Sequence, residues 1–173
     1  MARFYRVSER KTSIFSSLSV TSILILINVV LFLIMLMLNF FSNSNCDLTI
    51  CKYIALKPFN ILQGNYLWTF ITSMFMHAGF FHLFVNMLSL LFIGSLVEKI
   101  LGKRRYFWFY MICGLLAGLF FVLSSMIFPS DLDTFAVGAS GALFGLVGLL
   151  MLLTPNLPVF VMFIPIPIKM KYA

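Results

Sequence analysis

Acidic side chains are scarce in this sequence. Five Asp and Glu stand among 173 residues, and all charged residues together make up 10%. A soluble domain carries about 25%, so the charged shell that keeps a globule in water is missing. Histidine is scarcer still, with two. Two ligands are too few for a metal centre, and the H-E-x-x-H zinc signature is absent, so no metal and no cofactor is expected. The three cysteines are too few for a disulfide framework. Cys113 lies in an apolar run and reads as a small hydrophobe, whereas Cys46 and Cys51 share one polar loop where pairing stays open. Internal repeats and low-complexity linkers are not found. A cleavable leader is not expected either, because the first apolar run exceeds the ~7–15 residues of a signal core and no A-x-A-like site follows.

What the chain has in abundance is apolar surface: 62% of its residues are hydrophobic, against ~45–50% in a soluble domain. Lipid is the solvent that tolerates this. A bilayer crossing needs ~20 apolar residues, and four runs approach that length: residues 18–41, 80–101, 106–128 and 135–153. The fold class that follows is all-α, a polytopic transmembrane helical bundle. Residues 1–17 read as a cytoplasmic N-terminal segment and 18–154 as the membrane core. Residues 155–173 read as a proline-rich interfacial connector leading into a fifth span. The outer loop 42–79 is too polar to span, yet its aromatics, with Trp68 and Tyr66 suited to the headgroup level, predict short interfacial helices.

Charge placement agrees with this layout. The formal charge is +7, and ten of the twelve Lys and Arg fall in three clusters. These are Arg3, Arg6, Arg10 and Lys11; Lys99, Lys103, Arg104 and Arg105; and Lys169 with Lys171. The alternate loops hold only Lys52 and Lys57 beside Asp47, Asp131 and Asp133. The positive-inside rule puts the N-terminus in the cytoplasm, and the clusters suit membrane orientation better than nucleic-acid binding. The short ends suit a prokaryotic plasma membrane.

Strongly polar side chains inside spans are costly and tend to be functional. His82, Asn86 and Ser89 follow i, i+4, i+7 spacing, so they share one helix face that should point into the bundle. As interhelical partners they would contribute ~0.6–2 kcal/mol each, and spacing alone leaves that structural reading open. His77 is separated from His82 by "AG" and is expected to precede the helix. Glu98 sits at the inner end of this span, where the helix dipole disfavours an acid. Lys99, Lys103 or Arg104 is the expected partner.

The stretch "FAVGASGALFG", residues 135–145, opens the fourth run with small residues around Ser140. At ~1.5 Å rise per residue, Ser140 and Asn86 lie at matching depths, ~8–10 Å below the outer edge of the apolar zone. A nucleophile at a helix start has unpartnered backbone N–H groups beside it for a developing oxyanion. Gly138 and Gly141 would let a substrate backbone approach. The competing reading is packing: Gly138, Gly141, Gly145 and Gly148 form one seam suited to a close helical neighbour or self-association, and "GLLAG" at 114–118 repeats the small-xxx-small pattern. "GASGA" is not the G-x-S-x-G elbow, since residue 142 is Ala and no strand precedes it.

Taken together, "WTFITSMFMHAGFFHLFVNMLSLLFIGSLVEKILG" and "VGASGALFG" resemble the rhomboid intramembrane serine proteases, from about residue 56 onwards. That resemblance implies a rhomboid-like core of six spans, of which four are complete here, and a hydrolase cleaving membrane-protein substrates within their transmembrane segments. It implies Ser140 as nucleophile, His82 and Asn86 as oxyanion donors with the Ser140 backbone, Gly138 as part of the serine motif, and His77 as support near the mouth of the site. Thr69 stands where the family often has Arg, which puts the anchoring of the outer loop in question. The resemblance also implies a histidine on a sixth span as general base. Both histidines of this chain are already placed, so these 173 residues are expected not to cleave efficiently alone. The alternative is a non-catalytic relative that binds client transmembrane helices. A channel is disfavoured, because the inner halves of all four runs are apolar.

Overall fold

The computed structural model describes residues 18–42, 51–160 and 167–170. The first basic cluster, the pairing of Cys46 with Cys51 and Lys171 lie outside the described residues. Helix α1 (Val20–Ser42) carries the first apolar run. In the outer loop follow α2 (Cys51–Ile54), α3 (Pro58–Leu62), α4 (Thr69–Thr72) and a 3-10 turn, Ser73–Phe75. The second run is one continuous rod: α5 (Phe80–Ser89), a π-helical turn at Leu90–Gly94 and α6 (Ser95–Leu101). Gly102, at φ 78°, breaks it from α7 (Lys103–Ile127). A 3-10 turn at Pro129–Asp131 leads toward α8 (Ser140–Leu153). Among the described residues α1, the α5–α6 rod and α7 are long and apolar enough to cross a membrane, and α8 is a shorter apolar helix of 14 residues. The result is a helical transmembrane bundle.

Two boundaries differ from the hydropathy reading. Helix α7 starts at Lys103 rather than 106, because Gly102 is the break and the basic residues belong to the helix. Helix α8 starts at Ser140 rather than 135, because residues before it are extended: Leu56 and Ala136 form an antiparallel bridge, with N–H···O distances of 3.1 and 2.8 Å. The proline-rich end adds a feature hydropathy did not give, two antiparallel three-residue strands, β1 (Pro158–Phe160) and β2 (Pro167–Lys169). Proline is compatible with a two-stranded ribbon because both strands are edges. Met170 closes it onto the bundle, buried in the core, with its N–H donating to the Leu157 carbonyl at 2.8 Å.

Buried Leu24, Leu90, Val97, Tyr106, Tyr110 and Leu146 make the core between α1, the rod, α7 and α8. Leu26, Phe120 and Ile127 point outward and are exposed, the pattern expected where hydrocarbon is the solvent. The glycine seam of α8 is divided. A Cβ on Gly141 would lie 2.5 Å from the Ala117 Cβ, and one on Gly145 would collide with Cys113, so both seat α7. Gly138 faces His82, and only Gly148 opens on empty space. The two glycines of "GLLAG" seat the short elements of the outer loop rather than another spanning helix: Met74 rests on Gly114, and Phe70 with Leu56 on Gly118.

Glu98 finds partners that the sequence did not suggest, at the start of α1. Its carboxylate, 8% exposed, accepts from the Val20 N–H at 2.8 Å, the Thr21 N–H at 2.9 Å and the Thr21 hydroxyl at 2.7 Å. Those amides are orphan donors at the positive end of α1, so the acid that the dipole of its own helix disfavours is welcomed by another. Ser19 Oγ accepts a further amide, from Ser22, at 3.0 Å. Glu98→Ala strands a buried amide, a half-buried one and the Thr21 hydroxyl and, at ~1–3 kcal/mol for a buried unpaired group, should cost ~2–4 kcal/mol. Glu98→Gln, which keeps one acceptor, should cost about half as much. Denaturant titration in detergent micelles measures both.

Candidate active site

The outer loop is held by its own hydroxyl and indole groups. Trp68 Nε1 donates to the Tyr53 carbonyl at 2.8 Å, and the Thr72 hydroxyl to the Ile54 carbonyl at 2.7 Å. Thr69, buried, donates to the Tyr66 carbonyl at 2.7 Å, where Tyr66 adopts φ 56°. The Tyr66 ring meets Tyr53 and Trp68 edge-on at 5.2 and 5.4 Å. The position at which an arginine was missed therefore carries a short local bond instead.

This loop in turn positions the segment that leads into α8. The Leu56–Ala136 bridge fixes one end, and the Phe59 N–H donates to the Leu132 carbonyl at 3.0 Å. Lys57 Nζ pairs with Asp133 at 2.7 Å and lies over the Phe135 ring, 5.4 Å from its centroid. Closest to the candidate nucleophile, the Gly138 N–H donates to the Ser73 carbonyl at 2.8 Å. Lys57, Asp133 and the Ser73 backbone were not recognised from sequence. The signal available was Lys57 opposite Asp131 and Asp133, the sparse charges of the two outer loops.

Gly138 is the junction between this loop and the polar face of α5. It adopts φ 112°, a region that only glycine enters readily. Its Cα faces the imidazole so closely that a Cβ would stand 2.8 Å from His82 Cε1, 2.9 Å from Nε2 and 3.9 Å from Asn86 Nδ2. Ala139 is fully buried behind it, and half-buried Ser140 is the first residue of α8. Asn86 is 4% exposed and donates one amide proton to the His82 carbonyl one turn back, at 2.8 Å. A carboxamide has two such protons, so this bond orients the group and leaves the second N–H to be offered elsewhere. His82, Asn86 and Gly138 therefore meet at one point, two residues before Ser140.

His77 sits just outside α5, buried at 6% exposure, with its ring edge-on to His82 at a centroid distance of 5.1 Å. Neither ring nitrogen makes a well-formed hydrogen bond among the described residues, with only the Phe75 backbone beside the ring. Burial, reinforced by the His82 charge and opposed by the nearby Phe75 backbone, lowers its pKa from 6.5 to about 4. The unfolded chain then takes up the proton first. The contribution of His77 to stability should be complete above pH ~6.5 and lost as pH falls toward ~4, with no further loss below that. The difference in melting temperature between the wild type and His77→Gln, followed from pH 7.5 to 4, should show that slope.

These residues can be set against known proteins. The family model described as Rhomboid domain matches residues 64–172, more than half of the chain. The chain belongs to the rhomboid family. RHOMBOID-like protein 1 of Arabidopsis thaliana is 41% identical over 102 residues, 59% of this rhomboid and 25% of the relative. The putative rhomboid protease YdcA of Bacillus subtilis is 37% identical over 81 residues, 47% of this chain and 38% of the relative. Inactive RHOMBOID-like protein 8 of Arabidopsis thaliana is 34% identical over 88 residues, 51% of this chain and 23% of the relative. The matched part of this rhomboid thus spans well under half of each of these relatives. With its apolar helices, family membership makes it an integral membrane protein.

Proposed function

We propose that this rhomboid is the nucleophile-bearing part of an intramembrane serine endopeptidase. Ser140 Oγ attacks a peptide carbonyl of a substrate transmembrane segment, and its proton passes to a base. The carbonyl oxygen becomes an oxyanion, which takes hydrogen bonds from His82, from the free N–H of Asn86 and from the Ser140 backbone at the start of α8. Collapse, with the base passing its proton to the leaving nitrogen, expels the amine and leaves an acyl-enzyme, which water then hydrolyses. The observation that carries this reading is Gly138: its missing side chain is what lets the nucleophile loop lie against the His82 imidazole and the Asn86 amide. A purely structural hydrogen bond between helices has no need of a glycine at φ 112° in that place.

A serine hydroxyl is a weak nucleophile without an activating base. The sequence holds two histidines, and both lie on the α5 side of the site. The base in this proposal comes from outside these 173 residues, which alone remain inactive. The N-terminus faces the cytoplasm and the site opens on the opposite side, as the basic clusters favour. A fluorophosphonate probe should label Ser140 in protein expressed from its complete reading frame. Labelling that persists in Ser140→Ala would remove the assignment.

A second reading, a non-catalytic binder of client transmembrane helices, draws support from a relative whose name is inactive and from the two-histidine count. Under it the complete protein stays unlabelled by the probe yet still captures a transmembrane peptide. Self-association through α8 belongs to this reading. It is left with Gly148, since Gly141 and Gly145 are occupied by α7.

A further inference from the structure

A groove of about 230 Å³ runs between α1 and the outer loop. Leu31, Phe32 and Met35 form its α1 wall, Phe75 and Met76 its opposite wall, and His77 lies at its end. Leu31 and Ile71 are exposed at its rim, so it opens sideways to lipid. Thr72 also lines it, but its hydroxyl is already donated to Ile54. His77 is the anomaly: a buried imidazole with no well-formed hydrogen bond among the described residues, only the Phe75 backbone beside it, next to a channel of hydrocarbon. An unpartnered buried polar group is costly and asks for a ligand.

We propose that this groove binds one acyl chain of a membrane phospholipid, with a ring N–H of His77 donating to the ester carbonyl at the head of that chain. The dimensions fit a chain and nothing wider. A 150 Å³ apolar cavity holds one benzene, so this groove takes a few methylenes, whereas a helix needs ~10–12 Å of width. An extended peptide would bring backbone N–H and C=O groups against walls that offer no partners, while methylenes ask for none. Depth agrees as well. His77 precedes α5 and shares the outer loop with Tyr66 and Trp68, the interfacial level at which ester carbonyls lie. A neutral imidazole, as the low pKa of His77 dictates near pH 7, supplies one such donor. Because the His77 ring meets His82 edge-on, the bound lipid would abut the candidate oxyanion site.

The protein expressed from its complete reading frame should be reconstituted in phosphatidylcholine vesicles. These carry a trace of phospholipid with a diazirine on an acyl carbon near the ester. Photolysis and peptide mass spectrometry are expected to find Phe75, Met76 and Met35 labelled several-fold more than Phe120 on the outer face of α7. His77→Phe should reduce groove labelling ~3- to 10-fold, the loss of one hydrogen bond. Leu31→Trp, which fills the groove from the α1 side and leaves the loop sequence unchanged, should abolish it. Phe120 labelling should stay constant in both variants and report that the bundle is intact. Equal labelling of groove and outer face, or groove labelling indifferent to both variants, would overturn the proposal. So would displacement of the lipid by an equimolar transmembrane peptide, which would assign the groove to protein. None of these readouts requires peptide cleavage, so they stand apart from the proteolytic reading.

Discussion

If the proposed proteolytic function holds, Gly138→Ala in the protein expressed from its complete reading frame should still reach the membrane and fold but turn over substrate at least ~100-fold more slowly than wild type. Two costs meet at this residue. An alanine at φ 112° is strained by ~1–3 kcal/mol, and its methyl group would stand 2.8 and 2.9 Å from two atoms of the His82 ring. Something must yield. The Gly138 backbone is tied to the Ser73 carbonyl, and Ala139 is fully buried behind it, so the imidazole is the freer partner. A displacement of ~1 Å in a group that serves as an oxyanion donor, the role proposed for His82, costs ~10²-fold. The two costs separate in a double-mutant cycle read by melting temperature. His82→Ala in the Gly138→Ala background removes the collision and should restore part of the lost stability, leaving the backbone strain. Full additivity of the two substitutions would mean that Gly138 and His82 do not touch.

The parts of this fold legible in sequence are those with a local cause. Long apolar runs gave the helices, and i, i+4 spacing put His82 and Asn86 on one face of α5. What escaped depended on partners far along the chain. Residues 135–139 are as apolar and small as a helix start, but Ala136 is drawn into an extended bridge by Leu56, eighty residues earlier. That bridge moves the start of α8 to Ser140, so the hydroxyl stands at the helix's first position rather than within its second turn. Glu98 is the same lesson. The dipole of its own helix made it look misplaced, while its reason, the amides of Val20 and Thr21, lies 78 and 77 residues away. The π-helical turn at Leu90–Gly94 has no sequence signature that could have announced it. It places Gly94 where a Cβ would come within 2.5 Å of the Tyr106 hydroxyl, a contact made by tertiary packing alone.

Under the same proposed function, Asn86→Ala in the complete protein should lower kcat by ~10²–10³ with little change in KM, the loss expected when one oxyanion donor is removed. The geometry predicts that this loss is catalytic rather than structural. The bond Asn86 makes is to the carbonyl of His82 within its own helix, and a helix interior keeps its fold without that contact, so the melting temperature should move by no more than ~1 kcal/mol's worth. Asn86→Asp sharpens the test because it preserves size and position while replacing the donor by an acceptor that carries charge. A negative group facing a developing oxyanion repels it, so Asp should be worse than Ala. The order Asn, then Ala, then Asp in kcat, at nearly constant KM, is a signature that a merely structural amide would not produce. A structural amide would rank the three by stability, and the melting temperatures would follow the same order as the rates.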